Sequence, residues 1–583
     1  MLLLHISPKE IFDKKPIVRF FQRAQVCDNC GSQLIIRKTK TRTIATLEIG
    51  EFEAHETDKI CPLCHKIVRD KTIEQLVPKG GKYGFDVIEY IGRALFLKSH
   101  GEEEIKEELS LLNISISLSE IGYLGKKFII YLFLSHKECE NKLKGFMKSC
   151  GGYILHIDAT CEGDSPHLMS ALDGISNIVL NNVNLKSENS EDIIPFLEEI
   201  KAAYGNPIAN VHDMGKGILK AIETVFPGIK DFICHFHFLA DLGSDLFGYE
   251  YNMLRKGIKA HCIKTKLRES IKKIKEIIDA NVDLTESLST YLKNKQPDLK
   301  LKKEVSVYVL LVWVLEATND LNGYGFPFDR QHLGFYQRLK DAFKVIRKLK
   351  NHLSLEKILG SLLYQIIKFI KDTDLQGFVA KLEEKTFIFD DFRNAMEIAP
   401  KNKKTGLNDP GSDVDISTIE ERVKQFRKSH KLQKLASSDV AFKKMTEQID
   451  KYWEKLFADP IEVYTENGLI KIQPQRTNNL MERFFRDLKR KERKKSGYNS
   501  LNKKLKTMLA DTLLVKNLEN LKYLEILLNG HNNLAECFSD IEIKLVRQEF
   551  TAKQKKIQPW PTGMAKIFKI TNLPEKFSQS AIS

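Results

Sequence analysis

The sequence predicts a multidomain α/β protein whose sheet is interrupted by a long helical stretch. Apolar runs of strand length cluster between Gly151 and Val211. Strand signals then nearly vanish from about Gly243 to Pro460, where helical periodicity takes over. A length of 583 residues points the same way, because a single core stops growing at roughly 250–300 residues and about 150 per domain suggests about four domains.

Charged residues make up 29% and the hydrophobic set 42%, as in ordinary folded proteins. The excess of 92 Lys+Arg over 77 Asp+Glu leaves +15, which favours a polyanionic partner, nucleic acid or an anionic membrane surface. No run reaches the roughly 18–20 apolar residues of a membrane span; Val305 to Leu315 is shorter and Glu316 closes it. The start, Met1-Leu2-Leu3-Leu4-His5, lacks the pattern of a secretory leader. An intracellular protein without membrane partners is expected. In a reducing compartment the ten cysteines then read as metal ligands or buried thiols.

The first element, residues 1–78, is expected to be a zinc ribbon. Cys27 with Cys30 and Cys61 with Cys64 each have the two-residue spacer that lets both thiolates reach one tetrahedral structural Zn²⁺. Between them Ile35, Ile44, Leu47, Ile49 and Phe52 supply a small β-ribbon. Residues 79–145 turn helical, with Val87, Ile88, Ile91 and Leu95 on one stripe and Ile105, Leu109 and Leu112 on the next. Asn113-Ile114-Ser115 breaks the pattern, and Ser117 with Glu120 opens a new helix as a capping box. The pair is compatible with a helix-turn-helix presenting Lys126 and Lys127 to DNA, and equally with an ordinary helical hairpin.

After Gly151-Gly152 the runs Tyr153–Ile157, Leu168–Ala171 and Ile178–Leu185 read as strands. Asp192–Tyr204 reads as a helix and Ile208–Val211 as a further strand. Helices are expected at Ile258–Ile278, Val305–Ala317, Gln331–Leu349, Leu355–Ile370 and Val440–Phe457, with a surface loop from Pro400 to Asp415. Strand character returns at Leu469–Ile472.

Three acids stand where chemistry is expected. Asp158 ends the first apolar strand, and Asp213 follows Ile208–Val211 beside Gly215 and Gly217, which permit close backbone approach. A turn cap and a helix cap are the plain alternatives for the two. Glu482 lies on a helix whose buried face is Met481, Phe484, Phe485 and Leu488, on a stripe shared with Arg486, Lys489 and Arg493. Arg483 and Arg490 add to this cationic surface, which suits a phosphate backbone. An i to i+4 salt bridge from Glu482 to Arg486 is the plain alternative. Three such carboxylates can hold two divalent cations about 3.5–4 Å apart, the clamp used for in-line phosphodiester displacement. Between the second acid and the third, Cys234 and His237 read as buried packing, since no second ligand pair follows them.

Together these residues resemble the DDE transposases of the Mutator-like, hAT and related bacterial insertion-sequence groups, over roughly Gly151 to Gly530. Asp158, Asp213 and Glu482 match the family's acids, Cys234 with His237 its Cys-x-x-His signature, and Trp313 a tryptophan of its helical insertion. The neighbourhood His212-Asp213-Met214 departs from the pattern, since relatives often carry a small polar residue before the aspartate. The resemblance implies a ribonuclease H-like core at 146–243 and 461–530, split by an α-helical insertion at 244–460, with a basic C-terminal extension at 531–583. It implies Mg²⁺ (or Mn²⁺) held by Asp158, Asp213 and Glu482, with Cys234 and His237 shaping the site from just outside the metal shell. Double-stranded DNA, as element ends and target, is the implied partner, contacted by Arg483, Arg486, Lys489, Arg490 and Arg493. A homo-oligomer pairs the ends. The rival expectations are a transposon-derived DNA-binding protein that no longer cuts, and a metal-dependent nuclease that does not join strands.

Overall fold

A computed structural model describes residues 14–557 except 295–300, 320, 350–353, 401–405, 409–414 and 466–467. Most of the loop expected at Pro400 to Asp415, and the extension beyond residue 557, lie outside the described residues. The protein is mixed α/β with several small sheets. It divides into two compact units, the first comprising Met1–Asp231, Ile461–Ile472 and Asn478–Ser583, the second Phe232–Pro460 and Gln473–Thr477.

The first unit opens with β1 (Ile17–Phe21), β2 (Ile35–Thr46), β3 (Gly50–Ile60) and β4 (Ile67–Val68) in one small sheet. β2 and β3 form an antiparallel ribbon, and β1 runs parallel along the far edge of β3. Alternation buries Ile44, Phe52 and Ala54 on one face with Phe20, Ile73 and Val77. Ile35, read as part of the ribbon, is the first residue of β2 and is 53% exposed near the cysteine end.

Helices α1 (Phe85–Arg93), α2 (Glu102–Leu111) and α3 (Leu118–Glu138) follow. Ser117 caps α3 by accepting from the Glu120 amide at 3.2 Å, as its position predicts. Residues Phe128 to Leu132 of α3 are consecutively buried, so this helix is apolar on every side there. They belong to the same hydrophobic core as the strands that come next. Lys126 is exposed, and Lys127 sits with its Nζ 4.6 Å above the Tyr123 ring.

The main sheet contains β5 (Ile154–Thr160), β6 (His167–Asp173), β7 (Val179–Leu185), β8 (Ala209–His212) and β9 (Lys230–Ile233), in the order β7-β6-β5-β8-β9. The first three form an antiparallel meander, and β8 joins β5 in parallel after the crossover helix α4 (Ser190–Tyr204). Gly217 is the second residue of α5 (Lys216–Val225), and an added Cβ there would lie 1.9 Å from the Glu188 carbonyl. That close approach requires glycine at 217, while Gly215 meets only ordinary contacts.

The second unit is built from helices apart from the end of β9. Its spine pairs α6 (His235–Ala260) with α8 (Thr373–Met396), and α7 (Ile263–Asp279) follows α6 in the chain after Cys262 takes a left-handed conformation. Between α6 and α8, Phe247 meets Phe389 edge-on and Glu250 pairs with Lys385 at 2.7 Å, both buried. Trp313 is 41% exposed and carries the Arg338 guanidinium 4.9 Å above its ring.

In the first unit β10 (Ile461–Thr465) and β11 (Gly468–Ile472) form a separate antiparallel hairpin, and α9 (Asn479–Ser496) carries Glu482. Among the described residues no helix is long and apolar enough to cross a membrane.

Candidate active site

Asp158, expected at the end of its strand, lies inside β5, which runs on to Thr160 because Ala159 and Thr160 still pair with β6, and Asp213 is the first residue beyond β8 as expected. The parallel register sets Ile157 opposite His212, so the two aspartates succeed one another at the same level on adjacent strands, whose backbones run about 4.8 Å apart. Alternation along β5 places His156 and Asp158 on one face of the sheet.

That face receives the start of α9. Asn478 stands at the helix N-cap, yet its side chain makes no cap hydrogen bond. It turns to β5 instead: Nδ2 donates to the Ile157 carbonyl at 2.9 Å, and Oδ1 accepts from His156 Nδ1 at 3.1 Å. Both side chains are fully buried. Burial pushes the His156 imidazole down to about 4, so the ring is neutral and its single N–H is the one given to Asn478. Gly174 makes room for it, since a Cβ there would lie 2.6 Å from His156 Nε2. Glu482 is one helical turn beyond Asn478, on the helix pinned to the strand that carries Asp158. The three acids expected to act together thus stand on adjoining elements of one unit.

His212 fixes the second aspartate from behind. Fully buried, its ring lies between the Asp231 carboxylate, 2.5 Å from Nε2, and the Asp213 backbone carbonyl, 2.6 Å from Nδ1, both of them acceptors. The histidine at this unusual position therefore anchors the backbone of Asp213 to β9. Neither Asn478 nor His212 stood out as a site residue in the sequence, because their partners are unremarkable positions elsewhere in the chain.

On α9 Met481 and Phe485 are buried while Phe484 and Leu488 pack partly buried against the same core, as the periodicity predicts. Arg483, Arg486, Lys489, Arg490 and Arg493 are all exposed. Cys234 and His237 belong to the second unit. Cys234 is buried as the N-cap residue of α6, and His237 is half-buried in its first turn.

The four ribbon cysteines form a separate centre. Cys27 Sγ lies 3.5 Å from Cys64 Sγ and Cys30 Sγ 3.3 Å from Cys61 Sγ, with all four within 4.8 Å of one another. Four thiolates bound at about 2.3 Å around one tetrahedral ion stand about 3.8 Å apart, so the set is compatible with structural zinc. Both pairs sit in the same kind of turn. Gly31 N–H donates to the Cys27 carbonyl and His65 N–H to that of Cys61, and Gly31 and His65 both adopt positive φ. The Cys64 amide, 3.4 Å from Cys61 Sγ, is the largest influence on that thiol, which is lowered to about 6, while Cys30 beside it is raised to about 12, so that without a metal the pair shares one proton.

Set against known proteins, the chain matches no family model, and no curated protein is similar to it.

Proposed function

We propose that this chain is a DDE transposase, a polynucleotidyl transferase with a ribonuclease H-like core, which binds element ends and cuts and joins DNA strands. The observation that carries the reading is the docking of α9 on β5 through Asn478, which joins the element bearing Glu482 to the strand bearing Asp158, next to Asp213. The mixed sheet, with Asp158 inside β5 where its parallel pairing to β8 stops and Asp213 just beyond the end of β8, supports the same core. A helical unit whose sequence lies between Asp213 and Glu482 supports the insertion.

In this reading Asp158, Asp213 and Glu482 hold two Mg²⁺ ions; carboxylate oxygens suit that hard cation. The ions supply Lewis-acid stabilisation of the attacking and leaving oxygens of an in-line displacement. Water attacks the phosphorus at an element end, the P–O3′ bond breaks, and a free 3′-hydroxyl remains. That hydroxyl then attacks a target phosphodiester, forming a new P–O bond and releasing the target 3′-oxygen. The exposed cations of α9 hold the phosphate backbone, and His212 and Asn478 keep the carboxylates in place. The ribbon cysteines hold Zn²⁺, which stabilises the N-terminal module, and pairing of two ends calls for an oligomer.

The test uses duplexes taken from the DNA flanking the gene, incubated in Mg²⁺ or EDTA with wild type and Glu482→Gln. Metal-dependent nicking followed by joined strands is expected from wild type alone. Nicking without joined products would replace the transposase by a nuclease, and tight binding without nicking would leave a DNA-binding protein.

A further inference from the structure

We propose that Asn182 is a positioning residue for the metal site: by accepting the Ser170 hydroxyl proton, it keeps that donor away from the Asp158 carboxylate. The inference rests on the reading of Asp158 as a metal ligand.

The register of the meander sets Asp158 opposite Ser170, and Ser170 opposite Asn182. Directly opposed residues of antiparallel strands project from the same face, with Cβ atoms about 4.5–5.5 Å apart. The three side chains therefore form a row across β5, β6 and β7, on the face that receives α9. Ser170 is wholly buried and Asn182 is 6% exposed. The Ser170 hydroxyl donates to Asn182 Oδ1. Among the described residues Asn182 Nδ2 is buried without a partner, and the bond from Ser170 is the one hydrogen bond of the Asn182 side chain.

A serine hydroxyl carries one proton. While Asn182 takes it, Ser170 shows Asp158 only lone pairs. Asp158 Oδ1 already accepts from the Ala159 amide at 2.8 Å. The Ser170 proton would occupy a further one of its roughly four lone-pair sites and turn the carboxylate toward β6, away from the cations. A buried hydroxyl deprived of Asn182 would seek an acceptor, since leaving it unmade costs about 1–3 kcal/mol, and Asp158 is the opposed charged one.

The test measures Mn²⁺ affinity of the full-length, zinc-loaded protein by electron paramagnetic resonance, with Asp158→Ala as the blank. Asn182→Ala is expected to weaken Mn²⁺ binding about five- to tenfold, and Ser170→Ala/Asn182→Ala to restore it to within about twofold, because the stray donor is gone. A merely structural role for Asn182 predicts a double variant at least as weak as the single one. That result, or an Asn182→Ala affinity equal to wild type, overturns the proposal. So does a Ser170→Ala loss as large as that of Asn182→Ala, which would make Ser170 a donor that supports Asp158. If wild type binds no more Mn²⁺ than the blank, the metal reading itself falls. Asn182→Leu, which refills the volume without an acceptor, takes the place of Asn182→Ala if alanine prevents folding.

Discussion

At Asn478 a single side chain does the work of joining two parts of the chain separated by more than three hundred positions. Asn478→Ala would remove both of its contacts to β5 and leave the buried His156 N–H unmatched, a loss of about 2–3 kcal/mol. Urea unfolding checks this, and a loss below about 0.5 kcal/mol would show that the helix is held by its apolar face alone. A second buried ring gives a pH signature. His136 donates from Nε2 to the Leu180 carbonyl at 3.0 Å and accepts at Nδ1 from the Tyr523 hydroxyl at 2.9 Å, and burial lowers it from 6.5 to about 4. The native ring stays neutral where the unfolded chain takes up a proton. Stability from this residue is therefore complete above pH 6.5 and is lost as pH falls toward 4, about 3 kcal/mol in all. His136→Gln removes that dependence, so its stability gap to wild type should narrow by about 2 kcal/mol between pH 6.5 and 4.5. A gap independent of pH would mean that the native ring is already charged.

Elements were legible where one period ruled a stretch and illegible where a local event broke it. The strand runs at Tyr153–Ile157, Leu168–Ala171 and Ile178–Leu185 are β5, β6 and β7 to within a few residues. The helix expected over Ile258–Ile278 is two, because Cys262 takes a left-handed conformation that periodicity does not reveal. The 24-residue helix Thr373–Met396 escaped notice, although Asp372 caps it by accepting from Leu375 N–H. Its apolar positions wander around the helix, since it packs on more than one neighbour. The two cysteine pairs announced their centre by spacing alone, whereas the neighbours of Asp158 depend on register, which no local pattern fixes. The ribbon also carries a prediction. Among the described residues the cluster around the cysteines is Leu34 with Cys27 and Cys61, against which Cys64 and Val68 pack partly buried, too little apolar surface to hold two turns in place without a metal. Chelation should therefore expose the amides of residues 24–36 and 59–68 to hydrogen exchange while β5 to β8 stay protected. Unchanged exchange in those two segments would remove the metal from the account of the ribbon.

For the whole molecule the decisive quantity is the response to salt. A net charge of +15 would attract any polyanion, but five exposed cations along one helix make a narrower claim about how the charge is used. Each phosphate neutralised on duplex DNA releases condensed counterions, and the slope of log affinity against log salt is about −0.9 per contact. If Arg483, Arg486, Lys489, Arg490 and Arg493 each meet one phosphate, they contribute a slope of about −4.5, which is a loss of about 500-fold between 50 and 200 mM salt. Converting Arg486, Lys489 and Arg493 to Gln should weaken binding at low salt and flatten the slope by about 2.7, without changing preference among sequences, because phosphate contacts carry no base information. Fluorescence anisotropy on a labelled duplex measures both quantities. A steep wild-type slope that the triple variant keeps would place the DNA on another surface. A flat response in wild type would remove duplex DNA as the partner, and with it the reason for a cationic helix beside three carboxylates.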